Sequence, residues 1–290
     1  MALRLPVKIA AYFILFGRRQ VDTNEPKTVS MADSAGNVRV LARGLAILQA
    51  FEPDNSWLSN ANLALLTGIP KPTVSRITAN LTASGYLTYS AEKAQYKLGA
   101  PVLALGYLAV STRDLKIVAR PLMQKLADEH NASIVLASPD GLSMVCHEVC
   151  HSRNMLFTLR VRPGSRLKLS QSALGRAFIS AMNESERSKF MAALAEAEPD
   201  HWSVLKQELE AAIRQMRDHQ YCTASGTLEN GTNGIAVVID MPGQPHAYAI
   251  GCAVPEYLFP VERLEAEVAP QLLQLKHSLE RDLNASAQAS

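Results

Sequence analysis

Between Leu63 and Leu81 the chain reads LALLTGIPKPTVSRITANL, and few folds accommodate that order of residues. Leu63, Leu65 and Leu66 predict the apolar face of a short helix, with Ser59 or Asn60 as its N-cap and Gly68 in the left-handed position that stops it. Ile69-Pro70-Lys71-Pro72 then turns into a second helix, whose first turn suits Pro72 because an N–H there would have no intrahelical partner. A helix, a glycine-containing turn and a helix define a helix-turn-helix. Upstream, Val40, Leu41, Leu45, Ile47, Leu48 and Phe51 recur near the 3.6-residue period, which predicts a preceding amphipathic helix that ends before Pro53.

The helix after the turn divides by face. Val74, Ile77 and Leu81 form an inward apolar stripe, and Thr73, Arg76 and Asn80 share the opposite side. Lys71 and Thr73 stand at its N-terminal end, where backbone N–H groups favour a phosphate, and Ser75, Arg76 and Asn80 are placed to reach base edges or the backbone. A merely solvated polar face is the alternative reading of this helix alone. Gly85 ends it, and Tyr86 to Tyr89 with Gln95 to Leu98 read as two strands of a hairpin carrying Lys93 and Lys97. Three helices and a basic hairpin make a winged helix-turn-helix, expected over residues 38–99.

The remainder of the 290 residues is long enough for a second domain, and 48% apolar with 19% charged residues is ordinary globular composition. The net charge of +2 conceals an asymmetry: residues 1–113 hold 12 Lys/Arg against 6 Asp/Glu, while the rest is acidic on balance. A basic front half admits a polyanion. Four cysteines in so long a chain do not build a disulfide framework, which points to the cytoplasm. Ile9 to Phe16 is apolar but shorter than the roughly 20 residues of a membrane span, and no small-residue cleavage site follows it. Residues 1–37 are therefore expected to be a disordered extension or an over-long start, with Met31 opening a polar lead-in, and no membrane partner is expected.

Residues 100–113, beginning APVLALGYLAV, are too apolar for a free linker and predict a helix that buries itself against a partner chain. Beyond Asp114, helices alternate with strands. Ile117 to His130 reads as a helix, and Ser133 to Ser138, Ser143 to Val149 and Met155 to Val161 as strands. Helices follow over Ala173 to Met182, Ser185 to Ala195 and Val204 to His219. Strands come near Tyr221 to Ala224, Ile235 to Ile239 and Ala247 to Ala253, and a closing helix runs from Val261 to Leu283. One sheet with helices against it is an α+β domain, expected over 114–285 with a short tail at 286–290.

The runs RVLARGLAILQAF, LSNANLALLTGIPKPTVSRITANLTASGYLTY and YKLG resemble the N-terminal domain of the IclR family of bacterial transcription regulators. LRVRPGSRLKLSQSALGRAFISAM and GIAVVIDMPGQPHAYAIGCAVP resemble its GAF-like effector domain. The resemblance implies a repressor or activator that pairs through the linker helix, as a homodimer or a dimer of dimers, on palindromic double-stranded DNA. It places Lys71, Thr73, Ser75, Arg76 and Asn80 on the recognition helix, Lys93 and Lys97 on the wing, and Arg43 as a brace against the phosphate backbone. It also implies a small-molecule effector, an organic acid or aromatic metabolite, and no cofactor. Candidate contacts are Met144 and Leu156 on the sheet, Gly164, Ser165 and Leu167 in the loop before the SALGRA helix, and Ala224, Thr232, Gly234, Gly251 and Ala253 at the last strands. The N–H groups of Gly164 and Ser165 are expected as carboxylate donors, since glycine turns form anion nests. Cys222 to Asn230 replaces the family's usual acidic run, Gly251-Cys252-Ala253 lacks hydroxyls, and Lys168 stands where proline is common. The pocket is therefore expected to be less polar or roomier.

CHEVCH at 146–151 carries soft and imidazole ligands without the paired spacing of a zinc site, and alternation on a strand would place Cys146, Glu148 and Cys150 on one face and His147 and His151 on the other. No nucleophile elbow, phosphate loop or dinucleotide fingerprint is present, so no enzymatic activity is expected. The competing reading is a metabolite sensor or enzyme whose winged helix serves protein contacts.

Overall fold

The computed structural model describes residues 31–52, 56–110, 115–154, 159–226, 231–241 and 244–288. Ile9 to Phe16 and Leu156 lie outside the described residues, as do most of the extension expected at 1–37 and most of the strand expected at Met155 to Val161. The chain divides into two compact units, Met1–Ser111 and Thr112–Ser290. Among the described residues no helix is long and apolar enough to cross a membrane.

The first unit contains α1 (Met31–Gln49), α2 (Asn60–Thr67), α3 (Lys71–Ala83), β1 (Leu87–Ser90), β2 (Gln95–Leu98) and α4 (Ala100–Val110). The helix of α1 begins at Met31, ahead of the boundary expected at residue 38. Ser59 caps α2 by accepting the N–H of Asn62, whose side chain returns a bond to the Ser59 backbone, and Gly68 closes it in the left-handed conformation at φ 68°. Ile47, Leu58, Leu63, Ile69, Val74, Ile77 and Leu87 form the core. Within one chain Val40, Leu41 and Leu45 of α1 are exposed, as are Leu103, Leu105 and Leu108 of α4.

The second unit is a six-stranded antiparallel sheet in the order β5-β4-β3-β8-β7-β6. Its strands are β3 (Ser133–Asp140), β4 (Ser143–His151), β5 (Arg166–Lys168), β6 (Cys222–Ser225), β7 (Thr232–Met241) and β8 (Gln244–Pro255). One face packs on α5 (Leu115–His130) and on the closing segment, α9 (Val261–Arg263), a π-helical turn at Leu264–Val268 and α10 (Ala269–Gln288). The other face takes α6 (Ala173–Ala181), beside which lie α7 (Glu184–Ala197) and α8 (Trp202–His219). Buried Arg176 ties α6 to α8 through Glu208, 2.6 Å from its Nη2. Leu159 to Val161, the described part of one expected strand, is not strand, although both apolar residues are buried.

The alternation expected along β4 breaks at its middle. Leu136 pairs with Glu148 but Ala137 pairs with Cys146, so His147 is the extra residue of a β-bulge. His147 and Glu148 consequently both turn toward α5 and α10: the imidazole meets Ser138 Oγ at 2.7 Å and the Tyr248 ring, and Glu148 takes Arg120 at 2.5 Å and Lys116 at 3.2 Å. Cys146, with Ala137, stays on the α6 face. Among the described residues no group of His, Cys, Asp and Glu could hold a metal ion. Burial pushes the thiols of Cys146, Cys222 and Cys252 up to about 12 and raises that of Cys150. Thiolate is the reactive form. Native protein at pH 8 is therefore expected to resist a thiol-specific reagent at the three deepest cysteines and to react at all four after denaturation; rapid native labelling of those three would contradict the burial. Because these thiols ionise near 9 when unfolded and about 12 when folded, their contribution to stability is complete below pH 9 and declines as pH rises between those values.

Candidate DNA interface and effector cavity

On α3, Val74, Ile77 and Thr78 are buried and Leu81 is half-buried, whereas Lys71, Ser75, Arg76 and Asn80 are exposed and Thr73 is half-exposed. Thr78 is the inward residue that periodicity missed. Its hydroxyl is satisfied by Val74 O at 3.0 Å and Asn60 Oδ1 at 3.1 Å, so a polar side chain rests in the core at little cost. Ser75 Oγ accepts from Asn60 Nδ2 at 3.2 Å, which joins α2 to α3 across the turn and gives Ser75 a bracing part. Arg76 has no ion pair among the described residues. Arg43 is half-buried on α1. Both wing lysines lie over a residue that motif reading did not single out: Lys93 Nζ is 4.8 Å and Lys97 Nζ 5.2 Å from the centre of the Trp57 ring. The available signal was an aromatic residue in the polar stretch just before the Ser59 cap.

In the second unit a cavity of ≈ 30 Å³ lies on the α6 face of the sheet. Of the expected effector contacts, Leu167, Ala224, Thr232, Gly234, Gly251 and Ala253 line it. Met144 is fully buried and pairs with Leu167 outside the lining. The lining also includes Val135, Leu159, Val161, Gln171, Ser172 and Leu174, several of them in stretches whose sequence gives no more than apolar or polar character. Gly164 and Ser165 are not in the lining, and their N–H groups are engaged. Gly164 N–H donates to Cys146 O at 2.7 Å and Ser165 N–H to Arg162 O at 2.9 Å, because the turn closes on itself and on β4. The carboxylate donors expected there are thus used internally. Ser172, the α6 N-cap, accepts from Gly175 N–H at 3.0 Å and donates to Lys168 O at 3.0 Å. The N–H groups of Ala173 and Leu174 open the helix, a position without intrahelical acceptors, and both residues line the cavity. A first turn of this kind favours an anion.

A winged helix-turn-helix followed by an antiparallel α+β domain with a cavity against its sheet is the build of a DNA-binding, ligand-responsive transcription regulator. The models for the IclR helix-turn-helix domain and for the bacterial transcriptional regulator IclR C-terminal domain match residues 40–91 and 107–281, and the chain belongs to the IclR family. It is similar to the HTH-type transcriptional regulator TsaQ1/TsaQ2 of Comamonas testosteroni, with 29% identity over 87% of this chain and 90% of that protein. The crystal structure of an IclR family transcriptional regulator from Brucella abortus is 35% identical, covers 88% of this chain and 97% of its own, and superposes with a TM-score of 0.76. An IclR homologue from Microbacterium hydrocarbonoxydans, solved in complex with 4-hydroxybenzoate, shares the fold at 20% identity and a TM-score of 0.63, over 85% of this chain and 99% of that one. The chain is accordingly a transcription regulator with a helix-turn-helix DNA-binding domain and a C-terminal effector domain.

Proposed function

We propose that the protein is a dimeric regulator that reads palindromic DNA with α3, holds phosphates with Lys93 and Lys97 of the wing, and responds to a small aromatic carboxylate in the α6-face cavity. The exposed polar side of α3, opposite the buried stripe of Val74, Ile77 and Thr78, carries the DNA reading. Arg76 serves as the base reader, Lys71, Thr73 and Asn80 as flanking contacts, and Arg43 as a contact from α1. Two-fold pairing is supported by the exposed Leu41 and Leu45 of α1 and Leu103, Leu105 and Leu108 of α4, a quantity of apolar surface that a second copy would cover. The protein works by binding rather than catalysis, and acts in the cytoplasm, where its DNA is.

The effector class rests on two supports: the α6 first turn at the cavity, and the 4-hydroxybenzoate bound by a protein of the same fold. A cavity of ≈ 30 Å³ takes about a water molecule or two and is far below the roughly 150 Å³ that admits benzene, so a ring enters only with an outward shift of its lining. Binding energy spent on that shift is the route by which a ligand changes the population of DNA-competent forms. A thermal-shift series with 4-hydroxybenzoate, benzoate and short aliphatic acids is expected to raise the melting temperature of the full chain with concentration for the aromatic acids. A response only to the aliphatic acids would replace the proposed class, and no response to any would remove it.

A further inference from the structure

We propose that Trp57 is the positioning residue of the wing, gathering Lys93 and Lys97 into a single two-charge grip on DNA phosphates. The inference rests on the reading of the wing lysines given above and assigns a residue outside the recognition helix and outside the hairpin.

Trp57 is fixed from its backbone side. Its neighbour Leu58 bonds Tyr96 in both directions, N to O at 2.9 Å and O to N at 2.8 Å, as an isolated antiparallel bridge. The segment before α2 thus adds a third rung to the wing, and Leu58 itself is buried in the core of the unit. Tyr96 is further held by the Tyr89 ring, with centroids 4.9 Å apart. Trp57 is half-buried beside this bridge.

The lysines come to it from different parts of the hairpin. Lys97 lies on β2, one residue beyond Tyr96, and Lys93 lies in the turn, where its N–H donates to Ser90 Oγ at 3.3 Å. Two exposed ammonium groups on flexible stems repel each other and scatter over many rotamers. An indole offers the largest negative π-face among the side chains, and both ammonium groups stand within the roughly 6 Å over which that face attracts a cation. The ring offsets their repulsion and reduces the rotamer freedom that a phosphate contact would otherwise have to remove. No acidic side chain among the described ion pairs engages either lysine, so their charge is available to DNA.

Phosphate contacts are sequence-independent, so the probe is a labelled random-sequence 40-base-pair duplex with the full chain, followed by anisotropy over a salt series. Lys93→Ala/Lys97→Ala is expected to lower affinity and to reduce the slope of log K against log salt by nearly two. Trp57→Leu is expected to weaken binding about threefold to tenfold at 0.1 M salt with the slope retained, because the charges remain and only their ordering is lost. Trp57→Phe, with a weaker π-face in the same place, is expected to stay within about twofold to threefold of the parent. In the double-lysine background Trp57→Leu is expected to change nothing further, since coupled residues are non-additive.

An equal loss from Trp57→Leu with and without the lysines would overturn the proposal, because the ring would then act on DNA or on the fold independently. So would a slope that falls by two in Trp57→Leu alone, the sign of a collapsed wing, or a Trp57→Leu protein that binds like the parent while the double-lysine variant is weakened. Binding unaffected by the lysine changes would remove the wing reading itself and Trp57 with it.

Discussion

Arg76→Ala is expected to weaken binding to a selected operator by about 10- to 100-fold while changing affinity for random duplex DNA by only a few-fold. A bidentate arginine contact to a guanine edge is worth that much discrimination, whereas a lost phosphate contact lowers all affinities alike. The expectation comes from geometry: Arg76 leaves α3 on the side opposite Val74, Ile77 and Thr78 and is exposed. Its neighbour Ser75 is a weaker candidate, because its hydroxyl is already joined to Asn60. Selection of a preferred site from a random pool, followed by mobility shifts with parent and variant on that site and on scrambled DNA, separates the two effects. Equal losses on both would make Arg76 a phosphate contact, and no loss on either would transfer the reading to Asn80 or Thr73. Light scattering of the variant checks that its assembly state matches the parent, as expected for a residue on the opposite side of the helix from the core.

The elements around α3 were legible because each signal is local. Gly68 stops a helix by its own backbone freedom, the prolines mark the turn, and Val74 with Ile77 shows the buried side. Where a signal depends on a partner, reading fails in a specific way. The period of Val40, Leu41 and Leu45 declares an apolar helix face but does not say which surface covers it, and within one chain that face is exposed. On β4, CHEVCH consists of residues that suit a strand on either side, so nothing marks His147 as the one left unpaired. Leu159-Arg160-Val161 alternates as a strand would. The same alternation serves an irregular segment with its apolar side chains against a cavity, and strand pairing with β4 begins only at Arg166. For the cavity, the family resemblance located the last strands, and Gly234, Gly251 and Ala253 do line it, packed so closely that an added Cβ at Gly251 would meet the Ile235 backbone. Sequence could not locate the donors. Whether a turn N–H is free depends on where the chain returns, and at Gly164 it returns to Cys146 O.

The first turn of α6 is then the part of the cavity most dependent on close packing, and Gly175 shows how close. A Cβ added at Gly175 would overlap the Leu169 backbone at its O and Cα, and a backbone cannot swing aside as a side chain can. Gly175→Ala is therefore expected to destabilise the C-terminal unit by on the order of 3 kcal/mol, near the upper end for overpacking. For a unit of this size that corresponds to a fall in melting temperature of about 6–12 °C. Gly234→Ala is the comparison: its added Cβ would meet the Ala173 Cβ at 3.2 Å, a contact relieved by a few tenths of an ångström, so a much smaller fall is expected. Scanning calorimetry of the parent and both variants tests the order. The two substitutions also differ in what they do to the cavity. Gly234→Ala narrows it from the sheet side and leaves α6 in place, whereas Gly175→Ala must push the helix off Leu169 and carry the Ala173 and Leu174 N–H groups with it. A carboxylate effector held by that first turn should lose most of its stabilising effect in Gly175→Ala even under conditions where the variant is fully folded. If Gly175→Ala instead melts within about 2 °C of the parent, less than the shift from 1 kcal/mol, α6 slides at little cost. Its first turn would then be too loosely held to orient a ligand.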